Sequence, residues 1–415
     1  MPSCRVCSGA NLENFLDLGD QPHCNNLLSS AAAIERTPRY PLRLWYCHGC
    51  TTVQIDYTVP KETMFGEYLY VSGTTQTLRQ HFQNTTDRLA ARLRLGPDAV
   101  VVDVGSNDGT WLGCYKRWGS RIVGVEPARN LANLANANGT NTINKFFTAA
   151  VADEIIVQYG HPRLVTAAGV FFHLEELHSA TRGVRLLLEK GGTFCVQAIY
   201  LGEILRNTEF DNIYHEHLTY WTVRSIGALF QQYGLEIYDA QLLPIHGGSL
   251  ELLVGLAGMY PIAPEVRRFL AAEEAAGLAD IQTYYRFADR VWNIRDRLLS
   301  ILWEYANRGK TVHAFGAPAK GATLLNSFNI TRDLVPFAVE RNPLKIGKII
   351  PGANIPILDE VNSPPPDAYL VLPWNFLPEF LRKKRDYILG GGEFIVPVPE
   401  PVTITRDNYS QYIGS

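Results

Sequence analysis

From residue 99 onward, short apolar runs alternate with longer stretches of helical period. The runs at 100–104, 121–125, 164–168 and 193–198 are rich in Val, Ile and Ala and too short for helices. They predict buried parallel strands separated by helices, a doubly wound sheet. Ahead of them, 75–95 has the spacing of a helix that leads into this unit. Between 263 and 308, Val266, Phe269, Leu270, Val291, Leu298 and Leu302 fall at helical intervals and predict a long amphipathic packing connector. A second alternation, with strands at 311–315, 336–339, 368–372 and 393–396, predicts another small α/β unit resembling half of a Rossmann fold. The expected fold class is therefore α/β, divided as 1–74, 75–260, a helical connector 261–308, and 309–415.

A chain of 415 residues is too long for one ordinary core, which agrees with that division. A net charge of -3 leaves no electrostatic footprint for nucleic acid or an acidic membrane. No apolar run approaches a membrane span, and the first residues do not read as a secretory signal. The expectation is a cytoplasmic monomer without nucleic-acid or membrane partners. In that compartment, thiolates hold metal and seldom form disulfides. Four of the seven cysteines form two CxxC pairs, Cys4/Cys7 and Cys47/Cys50, matching the ligands of a structural tetrahedral zinc site in domain 1–74. The pairs are widely separated, so His23, Cys24 and His48 also stand as substitutes for one ligand. Cys114 and Cys195 read as buried small residues.

The run 101–110, Val-Val-Asp-Val-Gly-Ser-Asn-Asp-Gly-Thr, is a strand ending in a turn where glycine lets the backbone approach a ligand. It departs from the GxGxxG of dinucleotide enzymes and resembles the first motif of class I methyltransferases that bind S-adenosylmethionine (SAM). Asp103 and Asp108 are candidates for the acid facing the methionine ammonium, with Gly105, Ser106, Asn107 and Gly109 forming the turn. One strand later, Glu126 is placed to accept from both ribose hydroxyls. The densest cluster is 210–220, where Tyr214, His215, Glu216 and His217 supply groups suited to general base work and oxyanion stabilisation near neutral pH. If the segment is extended, His215 and His217 share one face and Tyr214 and Glu216 the other. The spacing is not that of a His-Glu-x-x-His zinc helix.

In chain order, the two CxxC pairs, Tyr-Leu-Tyr-Val-Ser-Gly (68–73), the 101–110 turn, Gly-Val-Phe-Phe-His (169–173), Tyr-His-Glu-His (214–217), His-Gly-Gly-Ser (246–249) and Phe-Gly-Ala-Pro-Ala-Lys-Gly (315–321) resemble the sugar C-methyltransferases acting on nucleotide-linked 4-keto-deoxysugars. The resemblance spans essentially the whole chain. It implies a class I methyltransferase Rossmann-like domain between a small zinc-binding domain and a C-terminal α/β domain that helps hold the nucleotide-sugar. It also implies transfer of a methyl group from SAM to C3 of a 4-keto-6-deoxysugar carried by dTDP or GDP, with zinc remaining structural. His217 would then be the base that removes the C3 proton and Glu216 would orient or tune it. Tyr214, Tyr68 and His173 would contact the sugar and the charge developing on O4, with Ser72 on the substrate side.

Some assignments stay open at this level. Tyr70 competes with Tyr68, since both point to one face of an extended segment. His246 and Ser249 either meet substrate or simply belong to a glycine bend. Lys320, in a glycine-bounded turn after a strand, suits a pyrophosphate but reads nearly as well as a solvated lysine. Glu340, Asn342 and Asn375 end strands where a nucleotide pocket would lie. Gly169, Gln197 and Glu251 depart from the family pattern, Glu251 standing where arginine is frequent, which leaves the sugar's substituents open. The rival readings are SAM-dependent methylation at O, N or C5 of a sugar, and a non-catalytic zinc and nucleotide-binding module.

Overall fold

The computed structural model describes residues 2–68, 70–245 and 247–413. Its central sheet has seven strands in the spatial order Thr142–Ile143, Arg121–Val125, Val100–Val104, Leu164–Ala168, Thr193–Ile199, Ser249–Leu256 and Leu235–Leu243. The first five run parallel, and the last two form a hairpin that joins antiparallel to Thr193–Ile199. Val100–Val104 is buried throughout because helices cover both faces of the sheet. Val100, Val102 and Val104 pack with helices Ala149–Tyr159 and Leu177–Leu187, while Val101 packs with helix Gln76–Leu93. Strand order reverses between Val100–Val104 and Leu164–Ala168, which opens a ligand crevice at their carboxyl ends.

Leu12–Gln21, Tyr40–Cys47 and Val53–Ile55 form an antiparallel sheet next to the cysteines. Its fourth strand, Thr219–Tyr220, comes from far along the chain, with Val53 opposite Tyr220 and Gln54 opposite Thr219. The C-terminal sheet has Ile355–Asp359, Ala338–Glu340, Val312–Phe315, Ala368–Val371 and Glu393–Val396 running parallel, with Ile349–Ile350 and Val402–Ile404 antiparallel at its edges. The expected connector is two helices, Pro264–Ala275 and Ile281–Asn307. Gly277 at φ +68 breaks the pattern, and the Asp280 side chain caps the second helix by accepting from the Gln282 N–H. That helix sets Tyr284 against Phe15 and Tyr46 of the first sheet and Leu302 into a core shared with the C-terminal strands. The expected three-part α/β architecture is present. Among the described residues, no helix is long and apolar enough to cross a membrane.

Candidate functional site

Cys4 and Cys50 sulfurs lie 3.5 Å apart, Cys7 and Cys47 sulfurs 3.6 Å, and all four fall within 4.8 Å of one another. Zn–S bonds of about 2.3 Å in a tetrahedron require edges of about 3.8 Å, so the quartet fits zinc. The N–H groups of Val6 and Cys7 both point at the Cys4 sulfur, the contacts a thiolate accepts. The substitutes are used elsewhere: His48 pairs with Glu13, and His23 and Cys24 lie beside Glu216. His23, Cys24 and Glu216 also converge within 4.8 Å, but donors already occupy both Glu216 oxygens.

At the switch point of the central sheet, the chain leaves Val104 through Gly105 at φ +68. A Cβ there would come within 2.4 Å of a Val170 methyl, so both the backbone angle and the neighbour require glycine. The N–H groups of Gly105 and Ser106 donate to the Val125 carbonyl at 2.8 and 3.1 Å, and Gly109 at φ +77 closes the turn onto the Ser106 carbonyl. Glu126 accepts from the Asn107 and Ala128 N–H groups at 2.8 and 2.9 Å, while burial raises its pKa. Gly105, Asn107 and Glu126 line a cavity of about 290 Å³ that also reaches Gln197, Tyr214 and His217. Asp103 instead accepts from the Thr166 hydroxyl at 2.6 Å, and burial pushes its pKa up to about 7. Asp108 accepts from the Gly73 and Thr110 N–H groups.

Tyr68 and residues 70–73 are strapped across this turn. Ser72 N–H donates to Asn107 Oδ1 at 2.9 Å, Asn107 Nδ2 donates to the Tyr70 carbonyl, and Asn130 brackets the Tyr68 backbone from both sides. The tyrosines then part: the Tyr68 hydroxyl donates to Glu216 Oε2 at 2.8 Å, whereas Tyr70 is 45% exposed.

The 214–217 segment is not extended. His217 N–H donates to the Tyr214 carbonyl at 2.9 Å, closing a turn, so period-two alternation does not apply. The Tyr214 and His217 rings lie tilted against each other with centroids 3.9 Å apart and share the cavity, while His215 turns to the Tyr40 carbonyl, where burial lowers its pKa to about 4. His217 Nδ1 donates to the Asn212 carbonyl at 2.7 Å, so the neutral ring carries its lone pair on Nε2. His173 Nδ1 donates to the Glu216 carbonyl at 2.6 Å, and burial lowers its pKa, favouring the neutral ring. The Glu216 carboxylate, expected to orient His217, is instead engaged by His23, Asn25 and Tyr68. The turn is pinned beyond His217, where Leu218 N–H donates to the Phe172 carbonyl at 2.7 Å and its own carbonyl accepts from Ile55.

None of the C-terminal candidates is among the described residues lining the 290 Å³ cavity. Lys320 sits 3.9 Å over the Trp374 ring; burial lowers its pKa, opposed by Asp211 and Glu209. Trp374 Nε1 donates to Asp211 at 2.7 Å, and Phe210 stacks on Phe328 at 4.7 Å, so residues 210–212 cover this sheet's carboxyl edge. Asn375 Oδ1 is buried there without a hydrogen-bond partner among the described residues. Glu340 accepts from the Asn342 N–H of its own loop and from the Ala317 N–H in the turn after Val312–Phe315, tying the two together, and Asn342 accepts from Leu344 within its own loop. Ser249 lines the cavity and donates to the Ile245 carbonyl; His246 lies outside the described residues. Two departures from the family pattern meet: Gln197 donates to Glu251 at 2.8 Å, and Arg88 supplies the cation beside it. Asn25 and Asn130 were not visible as site residues, because their partners lie far off in sequence, and His23 was visible only as a metal ligand; Asn212, five residues before His217, acts through its backbone carbonyl, which residue type does not announce.

Family models match three consecutive segments: a zinc binding domain at 4–65, a methyltransferase domain at 76–240, and a C-methyltransferase C-terminal domain at 244–399. C-methyltransferase NovU of Streptomyces niveus is 35% identical over 408 residues, 98% of this chain and 97% of that protein. Among solved structures, a SAM-dependent methyltransferase from Anabaena variabilis aligns at 15% identity and TM-score 0.34, covering 46% of this chain and 99% of its own. Magnesium protoporphyrin IX methyltransferase of Synechocystis aligns at 14% and TM-score 0.32, covering 43% and 83%.

Proposed function

Because the chain belongs to the SAM-dependent C-methyltransferases that carry an N-terminal zinc-binding domain, we propose that it methylates C3 of a nucleotide-linked 4-keto-6-deoxysugar with dTDP or GDP as carrier. The observation carrying this reading is that the His217 ring, its Nδ1 held by the Asn212 carbonyl, lines the same cavity as the cofactor turn. A ketone at C4 acidifies the C3 hydrogen, but an enolate forms only if a base and a donor to O4 are placed together. His217 Nε2 accepts the C3 proton and the electron pair moves onto O4. Burial raises the Tyr214 pKa well above its usual value, so it stays a neutral phenol able to donate to O4. Neutral His173 accepts from a sugar hydroxyl. When bound, SAM would supply an electrophilic methyl group to C3, its S–CH3 bond breaking as the C3–CH3 bond forms and the electron pair leaving on the neutral thioether. The residues hold reactants in line, which supplies much of the rate. Zinc, held by the four cysteines, takes no part in this step.

A second cavity of about 250 Å³, lined by His23, Asn25, Tyr68 and Lys348, adjoins the first at Tyr68 and offers the carrier's phosphates a cation. The test is incubation with a 4-keto nucleotide-sugar in deuterated water, with and without SAM, following C3 by NMR and product mass. Exchange without SAM and methyl gain with it, both abolished in His217→Ala while SAM still binds, are expected. Methylation at C5 or a heteroatom would overturn the assignment.

A further inference from the structure

We propose that His23 and Asn25, carried on the loop after strand Leu12–Gln21, are positioning residues that fix the Glu216 carboxylate and through it the catalytic turn; the proposal rests on the reaction described above. Glu216 is 1% exposed, and a carboxylate at such depth persists only if donors surround it. His23 Nε2 and Asn25 Nδ2 reach Oε1 at 2.9 and 2.6 Å, and the Tyr68 hydroxyl reaches Oε2 at 2.8 Å.

Four pieces of chain therefore converge on one residue. The loop beyond the first strand and the Tyr68 hydroxyl hold its side chain. His173, from the loop after Leu164–Ala168, holds its backbone carbonyl at 2.6 Å. Its own turn places Tyr214 and His217 to either side. A Glu216 that swings or takes a proton releases Tyr68 and shifts the peptide joining His173 to His217. The titratable groups facing it are His23 and Cys24 from the loop, Tyr68 from the strap, His173, and Tyr214 and His215 on its own segment. Burial alone would raise the Glu216 pKa, but the His23 bond and charge, with His173 and Tyr68, bring it down to about 2. Removing donors raises it toward neutrality, so activity fails earlier as pH falls.

The experiment compares His23→Leu, His23→Gln and Asn25→Leu with the full-length zinc-loaded enzyme. In His23→Leu and Asn25→Leu, kcat falls about 10- to 100-fold, the range for groups that orient a reactive residue, with KM within about threefold. The acid limb of the kcat profile moves upward. His23→Gln, whose amide nitrogen can stand near Nε2, recovers most of the rate. Infrared difference spectra, with Glu216→Gln as reference, show a protonated carboxyl near pH 6 in His23→Leu and none in the wild type. Four results each overturn the proposal: a rise in KM alone, as for a carrier contact; kcat within twofold of wild type; equal impairment of His23→Gln and His23→Leu; or no protonated carboxyl. The infrared readout needs no turnover. If methylation at C3 is disproved while the carboxyl signal behaves as expected, the reaction assignment has failed and the clamp has not; Asn25→Leu carries the test if His23→Leu does not fold.

Discussion

Replacing Asp103 by Asn separates a buried structural acid from a cofactor contact. Asp103 is 3% exposed, bonded to Thr166, and its pKa rises through burial from 3.8 to about 7. For an acid raised on folding, the unfolded state ionises first, so stability falls as pH climbs from the unfolded value through the folded one. A shift of roughly three units corresponds to about 4 kcal/mol of destabilisation once both states are ionised, of which about 2 kcal/mol is already present at pH 5.5. Asn keeps an acceptor for the Thr166 hydroxyl and does not titrate. The advantage of Asp103→Asn should therefore widen by about 2 kcal/mol between pH 5.5 and 8.5. Differential scanning calorimetry should register this as a Tm gap growing by about 4–8 °C for a domain of this size. Because the carboxylate faces Thr166, SAM affinity by titration calorimetry should stay within about threefold. A gap that is constant or narrows with pH, or a tenfold loss of SAM affinity, would refute the argument.

Tyr68→Phe removes a buried hydrogen bond to a carboxylate, a contact of about 1.5–3 kcal/mol, and should lower kcat about 10- to 150-fold with little change in the SAM Kd measured by calorimetry. Gly105→Ala forces a side chain into a left-handed angle and onto Val170, costing about 2–5 kcal/mol; SAM binding should weaken at least tenfold and recover in part when Val170→Ala is added. Zinc removal by chelation should raise hydrogen exchange at Val53–Ile55 and Thr219–Tyr220 before the central sheet responds, with turnover lost in step and restored by zinc.

Fold legibility followed from burial on two sides. Parallel strands such as Val100–Val104, interrupted only by Asp103, and Ala368–Val371 read as near-continuous apolar runs because helices cover both faces, and their ends fell within a residue or two of expectation. Thr219–Tyr220 had no such signal: two polar-edged residues become a strand only because Val53–Ile55 offers a partner. Composition marked 214–217 as the chemical centre, but the direction of each side chain came from a turn that residue types do not announce. His23 drew notice as a metal ligand, whereas its partner Glu216 lies 193 positions away, a pairing fixed by packing of the first and second units. Lys320 had the expected place after a strand, yet Asp211 and Glu209 from the covering segment already face its charge.

The zinc quartet acquires its meaning through this connectivity. Cys47 ends strand Tyr40–Cys47; that strand pairs with Val53–Ile55, and Val53–Ile55 pairs with Thr219–Tyr220, three residues or fewer beyond His217. The same first sheet projects the loop carrying His23 and Asn25 onto Glu216. A small four-stranded sheet has little apolar area with which to resist these loads alone, and a tetrahedral metal supplies rigidity without enlarging the core. The 214–217 turn is thus held at its end by one strand of the sheet beside the cysteine quartet and at its carboxylate by the loop following another. The reaction proposed above, whose enolate step uses no metal, would still depend on zinc, because the quartet that would bind it braces the sheet on which His217, Tyr214 and the cavity meet.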